Sequence, residues 1–293
     1  MLHTFKDKII SREFLITAEI CPPKGTDLNE ALNDAERIRN WTDALNVTDN
    51  QRAVMRMSPL AMSRSLLDSG HEVIMQLTCR DRNRLALQSD LLGAYAIGIR
   101  NICVMTGDHT TKGDHPGARP VYDLDSVQLL DIIRSMKEGY DLAGNTIHQA
   151  PEFVTGAVTN TDPTNTAQIV KLRKKIKAGI DFLQTQAVYD IAGFESFMEQ
   201  ISDIDVPVIA GVIPLRSAGM ARFMKQEIPG IDVPEEIIEN MHKADDPAEE
   251  GISLCAESIR ELKKLACGIH IMPVGKHENT SRILELSGIG KKK

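Results

Sequence analysis

Phe14-Leu-Ile-Thr-Ala-Glu-Ile-Cys-Pro-Pro23 is an apolar run interrupted by one carboxylate and stopped by two prolines. Side chains alternate across a strand, so Leu15, Thr17, Glu19 and Cys21 share one face of it. A second run, Ile102-Cys-Val-Met-Thr-Gly-Asp108, also ends on an acid. Apolar runs of this short format recur at residues 15–20, 44–48, 73–79, 101–106, 153–159, 181–186, 206–213 and 268–273. Helical patterns with charged faces separate them, at residues 28–40, 82–97, 126–138, 166–178, 194–201, 218–226 and 248–265. Eight strands alternating with helices predict an α/β fold, a (β/α)8 TIM barrel, with residues 1–293 forming one domain.

Boundary residues agree with that pattern. Asp27, Asp123 and Asp190 stand where helix caps are expected, and Gly70, Gly98, Gly139 and Gly179 stand just past helical runs. Residues 229–247 read as an inserted helix with its loops. The Gly- and Pro-containing stretch 107–122 reads as a long functional loop.

Composition narrows the function. A net charge of -7 and an aromatic share of 4% disfavour a nucleic-acid surface, which needs a basic face and stacking rings. Lys291-Lys292-Lys293 is expected to be a solvated tail. The five cysteines, Cys21, Cys79, Cys103, Cys255 and Cys267, lack CxxC spacing, which argues against a disulfide framework or an autonomous metal site. The three that lie in or beside strands read as small buried hydrophobes. Residues 1–8 contain no signal-peptide stretch and no apolar run is long enough to span a bilayer, so a cytoplasmic protein without a membrane is expected.

Barrel enzymes keep their chemistry at the carboxyl-terminal ends of the strands, where Glu19 and Asp108 fall. Other polar residues recur at strand ends: Asn46 and Thr48, Gln76 and Thr78, Thr106, Gln184 and Gln186. Branched apolar side chains normally fill a barrel, so this ring of polar ends predicts a site at that mouth. The ordinary alternative for Glu19 is an ion pair with Arg52 or Lys276. The flanking Ile20, Pro22 and Pro23 favour an apolar pocket instead, which raises a carboxyl pKa and makes a general acid. Asp108 alone reads equally well as a turn residue after Gly107. Asp108-His109 and Asp114-His115 offer metal-ligand chemistry, but one mobile loop rarely supplies a full ligand set. No GxGxxG follows the first strand, so a Rossmann dinucleotide site is unsupported.

The chain resembles the methylenetetrahydrofolate reductase family, flavin-dependent (β/α)8 barrels, from Glu19 to about Gly288. The matching pieces are Ala18-Glu19-Ile-Cys-Pro-Pro23, Asn46-Val-Thr48, Gln76-Leu-Thr-Cys79, Thr106-Gly-Asp108, Ala178-Gly179 leading to Thr185-Gln186, Gly211-Val-Ile-Pro214 and Gly268-Ile-His270. The resemblance implies reduction of 5,10-methylenetetrahydrofolate to 5-methyltetrahydrofolate by hydride from reduced flavin N5, the flavin being FAD or FMN. Glu19 is then the acid that protonates N10 and opens the imidazolidine ring, and Asp108 stabilises the resulting 5-iminium cation. It further implies flavin contacts at Thr48, Gln76, Thr106, Gly107, Asp108, Tyr122 and Asp123. Lys174 and Lys175 fall beside the cofactor pyrophosphate, although Arg173-Lys174-Lys175 otherwise reads as a solvated helix face. Glu19, Asp108, Gln186, Ala218 and Lys276 fall at folate-contacting positions, and an oligomer is expected.

Two departures accompany the match. Leu215-Arg-Ser-Ala218 stands where many members have an aromatic that stacks on folate or nicotinamide, and residues 158–162 lack the usual aromatic and histidine. These replacements resemble the short form of anaerobic and acetogenic bacteria, the one tied to the Wood-Ljungdahl pathway. That form implies electrons from NAD(P)H or from a second subunit carrying iron–sulfur and zinc centres. The competing readings are a metal-dependent or Schiff-base lyase on the same barrel, and a non-catalytic folate-binding subunit.

Overall fold

In the computed structural model, which describes residues 4–228, 230–275 and 277–292, eight parallel strands close into a barrel in the order β1 to β8. They are β1 (Leu15–Ile20), β2 (Ala44–Val47), β3 (Val73–Thr78), β4 (Asn101–Met105), β5 (Val154–Thr159), β6 (Phe182–Ala187), β7 (Val208–Val212) and β8 (Gly268–Ile271). Pairing of Leu15 to Ala18 with Gly268 to Ile271 closes the ring. The barrel expected from the alternating runs is present, with each strand within two residues of its expected bounds.

Helices coat the outside: α1 (Phe5–Ile10), α2 (Asn29–Ile38), α3 (Pro59–Asp68), α4 (Arg84–Ala96), α5 (Ser126–Lys137), α6 (Thr166–Lys177), α7 (Ile191–Gln200), α8 (Ala218–Glu227), α9 (Glu235–Lys243), α10 (Pro247–Leu265) and α11 (Thr280–Leu286). Apolar spacing explains how they dock. In α10, Ile252, Cys255, Ala256, Ile259 and Leu262 form one buried stripe at i, i+3, i+4 spacing, behind an Asp246 cap and Pro247 at the first turn. Three helices were not read from the sequence: α1, α3 and α11. α1 and α11 are short, whereas α3 is as long as α2 and begins behind a Ser58 cap with Pro59 in its first turn. The cap expected at Asp123 belongs to Asp125, whose carboxylate accepts from Val127 N and Gln128 N. Asp123 instead grips the Arg84 guanidinium. The glycines expected to stop helices do so in the left-handed region, with φ of +79° at Gly70 and +98° at Gly98.

The interior of the barrel is layered. At the amino-terminal end Leu15, Ala44, Ile74, Cys103, Val154, Phe182 and Ile209 form an apolar floor. Phe5 of α1 plugs it, edge-on to Phe182 with ring centroids 5.4 Å apart. Gly156 on β5 makes room for that ring, since a Cβ there would lie 2.2 Å from Phe182 Cζ. Above this floor the inward side chains turn polar, and the carboxyl-terminal mouth opens. Among the described residues no helix is long and apolar enough to cross a membrane.

Candidate active site at the barrel mouth

Inward positions of four strands meet just above the floor. Asn46 Nδ2 donates to Gln184 Oε1 at 2.6 Å, and Gln184 Nε2 donates back to Asn46 Oδ1 at 3.2 Å. Gln184 Nε2 also reaches Thr17 Oγ1 at 3.3 Å, and Thr17 Oγ1 lies 2.9 Å from His270 Nδ1. Asn46 and Gln184 are two members of the polar ring expected at the strand ends. The structure spends their amides on each other, because inward polar groups this deep must find partners within the barrel.

Glu19 sits one layer higher and is 9% exposed. Gln51 Nε2 donates to Glu19 Oε1 at 2.7 Å, and His270 Nε2 stands 4.0 Å from Oε2. Burial raises the Glu19 pKa from 4.5 to about 7, with the Gln51 hydrogen bond pulling the other way. Burial, with His277 nearby, lowers the His270 pKa to about 3. His270 is therefore neutral at physiological pH and forms no ion pair with Glu19. His277, 3% exposed, fixes the main chain at this point: its Nε2 donates to Glu19 O at 2.7 Å, and its Nδ1 pairs with Thr280 Oγ1 at 2.9 Å. The ion pair considered for Glu19 is not made with Arg52, whose guanidinium lies over the Phe223 ring. Lys276, the other partner considered and an expected folate contact, lies outside the described residues.

Asp108 is exposed on the loop beyond β4, and its carbonyl accepts from Arg80 Nη1 at 3.3 Å. Gly107 has φ +89°, and a Cβ there would lie 3.1 Å from Thr78 Cβ, so the loop leaves β4 by a path that needs glycine. Tyr122 Oη donates to Gly107 O at 3.2 Å and feels the charges of Arg80 and Asp108, so these four residues form one neighbourhood. Arg80, only 2% exposed, holds it together through Asp81, Asn50 O and Asp108 O. Thr48 is buried and donates to Cys21 Sγ at 3.5 Å, while Thr106 Oγ1 donates to Ser126 Oγ at 3.3 Å. Thr78 is engaged by the buried Asp49 carboxylate, itself forked by Arg82.

Beside β5, Lys175 of α6 is 6% exposed and donates to Val158 O at 2.6 Å. Burial, then the nearby Lys171, lowers its pKa to about 8. Its neighbour Lys174 is exposed, so the basic run is split between solvent and interior. Gln76 and Gln186 have no side-chain hydrogen-bond partner among the described residues. Ala218 is buried at the first turn of α8, behind the Ser217 cap. Among the described residues no three His, Cys, Asp or Glu side chains converge as a metal site. Asp114 is taken up by Lys24, His115 and Met55 N. Of the three cysteines expected to be buried, Cys79 and Cys103 are, whereas Cys21 is half-buried and faces Gln51 Oε1 at 3.9 Å; Cys255 is buried as well.

Gln51, Arg80, His270 and His277 were not singled out as site residues. His270 had a signal, since it is the inward position of the last strand. Gln51 and His277 lie in loops whose path no local pattern specifies.

Fold and site together define a parallel (β/α)8 barrel with a buried carboxyl of raised pKa at its carboxyl-terminal mouth. The chain belongs to the methylenetetrahydrofolate reductase family, whose model matches residues 4–288. It is 24% identical, over 99% of its length, to a probable methylenetetrahydrofolate reductase (NADPH) of Caenorhabditis elegans, and covers 45% of that protein. It is 23% identical to the 5,10-methylenetetrahydrofolate reductase of Escherichia coli K12, over 80% of this chain and 75% of that one. The chain thus spans less than half the length of the C. elegans relative. A Clostridium thermocellum protein described as binding two copies of 5-methyl-5,6,7,8-tetrahydrofolic acid shares the fold, with TM-score 0.66, 18% identity and 96% of each chain covered.

Proposed function

We propose that the protein reduces 5,10-methylenetetrahydrofolate to 5-methyltetrahydrofolate at this mouth, with a flavin as hydride source and Glu19 as general acid. The observation that carries the reading is the Glu19 carboxyl, buried, held by Gln51, and given a pKa of about 7 beside a neutral imidazole. A general acid works best with its pKa near the operating pH. Family membership and the folate-binding C. thermocellum barrel support the substrate class.

Residues at the ends of β3 to β6 fit a flavin. Lys175 is a buried amine that makes no ion pair among the described residues, with Lys171 nearby and Asp125 acting on it only from beyond bonding distance, an arrangement that invites an anion such as a flavin phosphate. The unpartnered amides of Gln76 and Gln186 leave polar groups for ligand atoms. Thr48, Thr106, Gly107, Tyr122, Asp123 and Lys174 would complete the cofactor contacts, and either FAD or FMN satisfies them. When bound in reduced form, the flavin supplies the hydride.

The chain's own residues handle the proton and the charge. The transferable proton is held by the Glu19 carboxyl. Glu19 delivers it to N10, the bond from N10 to the methylene carbon breaks with its electron pair staying on N10, and N5 carries the iminium. Asp108 supplies negative charge that favours this cation over the closed ring. Hydride then reaches the methylene carbon and yields the methyl group. Gln186 and Ala218 border the folate. The absence of a stacking aromatic at Ala218 favours electron delivery by an iron–sulfur and zinc subunit over direct use of NAD(P)H.

Glu19→Gln tests the reading by anaerobic stopped flow. The variant is expected to bind flavin and accept electrons normally while losing roughly a hundredfold or more in the folate half-reaction. Equal loss in both half-reactions would remove Glu19 from the acid role.

A further inference from the structure

The link from β2 to α3 contains three non-glycine residues in the left-handed region. Asn50 has φ +45°, Arg52 +55° and Ala53 +57°. Each such residue costs on the order of 1 kcal/mol or more and persists only where its surroundings hold it. Here they do. Arg80 Nη2 donates to Asn50 O at 3.2 Å, and Asn50 Oδ1 accepts from Arg56 N at 2.9 Å. Asn50 Nδ2 donates to Asp81 at 3.3 Å, and the Arg52 guanidinium lies over Phe223. Gly113 closes on the turn from the loop after β4, so tightly that a Cβ there would lie 1.8 Å from Ala53 O. Three other segments, the β3–α4 loop, α8 and the loop after β4, therefore hold one strained turn in place. The residue at its centre is Gln51, whose amide reaches Glu19 Oε1 at 2.7 Å and whose Oε1 faces the Cys21 thiol.

We propose that Gln51 is a positioning residue for the general acid: the strained turn delivers its amide to Glu19 Oε1, fixing the carboxyl so that Oε2 holds the transferable proton. The inference rests on the reading of Glu19 as the acid. A carboxyl with both oxygens free rotates and shares its proton between them, whereas a donor fixed on one oxygen leaves only the other to carry it. Arg80 ties this turn to the Asp108 carbonyl, so one buried guanidinium sets the backbone beside both carboxylates. Among the described residues the groups facing Glu19 are few. They are Gln51 from the turn, the neutral His270 from β8, His277 on its carbonyl, and Cys21, which feels the charges of Glu19 and Arg56. Among them Gln51 is the one side chain that donates to the Glu19 carboxyl, and that bond favours the ionised form.

Gln51→Met keeps the shape and removes the donor, and Gln51→Glu replaces it with a second acid. The readout is the 13C shift of the Glu19 carboxyl titrated in the purified protein, with the pH profile of the folate half-reaction beside it. In Gln51→Met the Glu19 midpoint and the alkaline limb of the profile should both rise by about one pH unit, the worth of one charge-assisted hydrogen bond. In Gln51→Glu the two carboxyls should share one proton and titrate as a pair, with a still higher upper midpoint. A Glu19 midpoint in Gln51→Met within 0.3 of a unit (about the error of such a titration) of the wild-type value would overturn the proposal, whatever the activity. If instead the midpoint rises but the alkaline limb stays put, Glu19 titrates without acting as the acid, and the reading beneath the proposal falls.

Discussion

Replacing Glu19 by Gln should stabilise the protein, and by an amount that depends on pH. The carboxyl has a pKa of about 7 in the folded chain against an ordinary 4.5. Between those values the folded state binds more protons than the unfolded one, so stability falls as pH rises and levels off above about 7. Each pH unit is worth about 1.4 kcal/mol, which makes the ionised Glu19 cost about 3 kcal/mol at alkaline pH and almost nothing at pH 4.5. Gln is neutral at every pH and of the same size, and it can still accept from Gln51. Glu19→Gln should therefore match the wild type near pH 4.5 and exceed it by about 3 kcal/mol at pH 8.5. For a chain of 293 residues that is a rise in Tm of about 5 °C. The check is a urea or thermal unfolding series at half-unit steps across this range. A gain that is flat with pH, or no gain at pH 8.5, would refute the burial argument on which the general-acid role rests.

Three further outcomes are expected from the site and the floor beneath it. Lys175→Met should weaken flavin binding at least tenfold in a fluorescence titration. It should also abolish the rise in stability that the wild type gains between about pH 8 and 10.5, where the folded state sheds the Lys175 proton first. Unchanged flavin affinity would remove Lys175 from the anion site. Asn46→Ala leaves Gln184 without its reciprocal partner and should cost about 2 kcal/mol in urea unfolding, and a loss under about 0.5 would show the pair to be incidental. Gly156→Ala drives a methyl into the Phe182 ring and should cost about 2 kcal/mol, most of it recovered by adding Phe182→Leu. Additive losses in the double variant would mean that the clash lies elsewhere.

Strand order and the position of Glu19 were legible in the sequence because both rest on short-range regularities. Apolar runs of strand length alternating with helical patterns admit few topologies, and alternation along residues 14–23 puts Thr17 and Glu19 on one face whatever the rest of the chain does. Helix ends were legible where a glycine must enter the left-handed region, as at Gly70 and Gly98. Short helices such as α1 and α11 were not, because a few residues carry too little periodicity to stand out. The polar ring at the strand ends was legible as a set, but the partner of each member was not. Alternation identifies the residues that point inward but not their depth, and depth decides that Asn46 and Gln184 bond each other while Gln76 and Gln186 stay open. The state of Glu19 belongs to the tertiary structure alone. Its raised pKa follows from exclusion of water by the closed barrel, opposed by the hydrogen bond from Gln51 thirty-two positions away. Contacts between loops of different βα units depend on barrel closure and register, so local sequence can point to the carboxyl but only the folded chain sets its surroundings and its pKa.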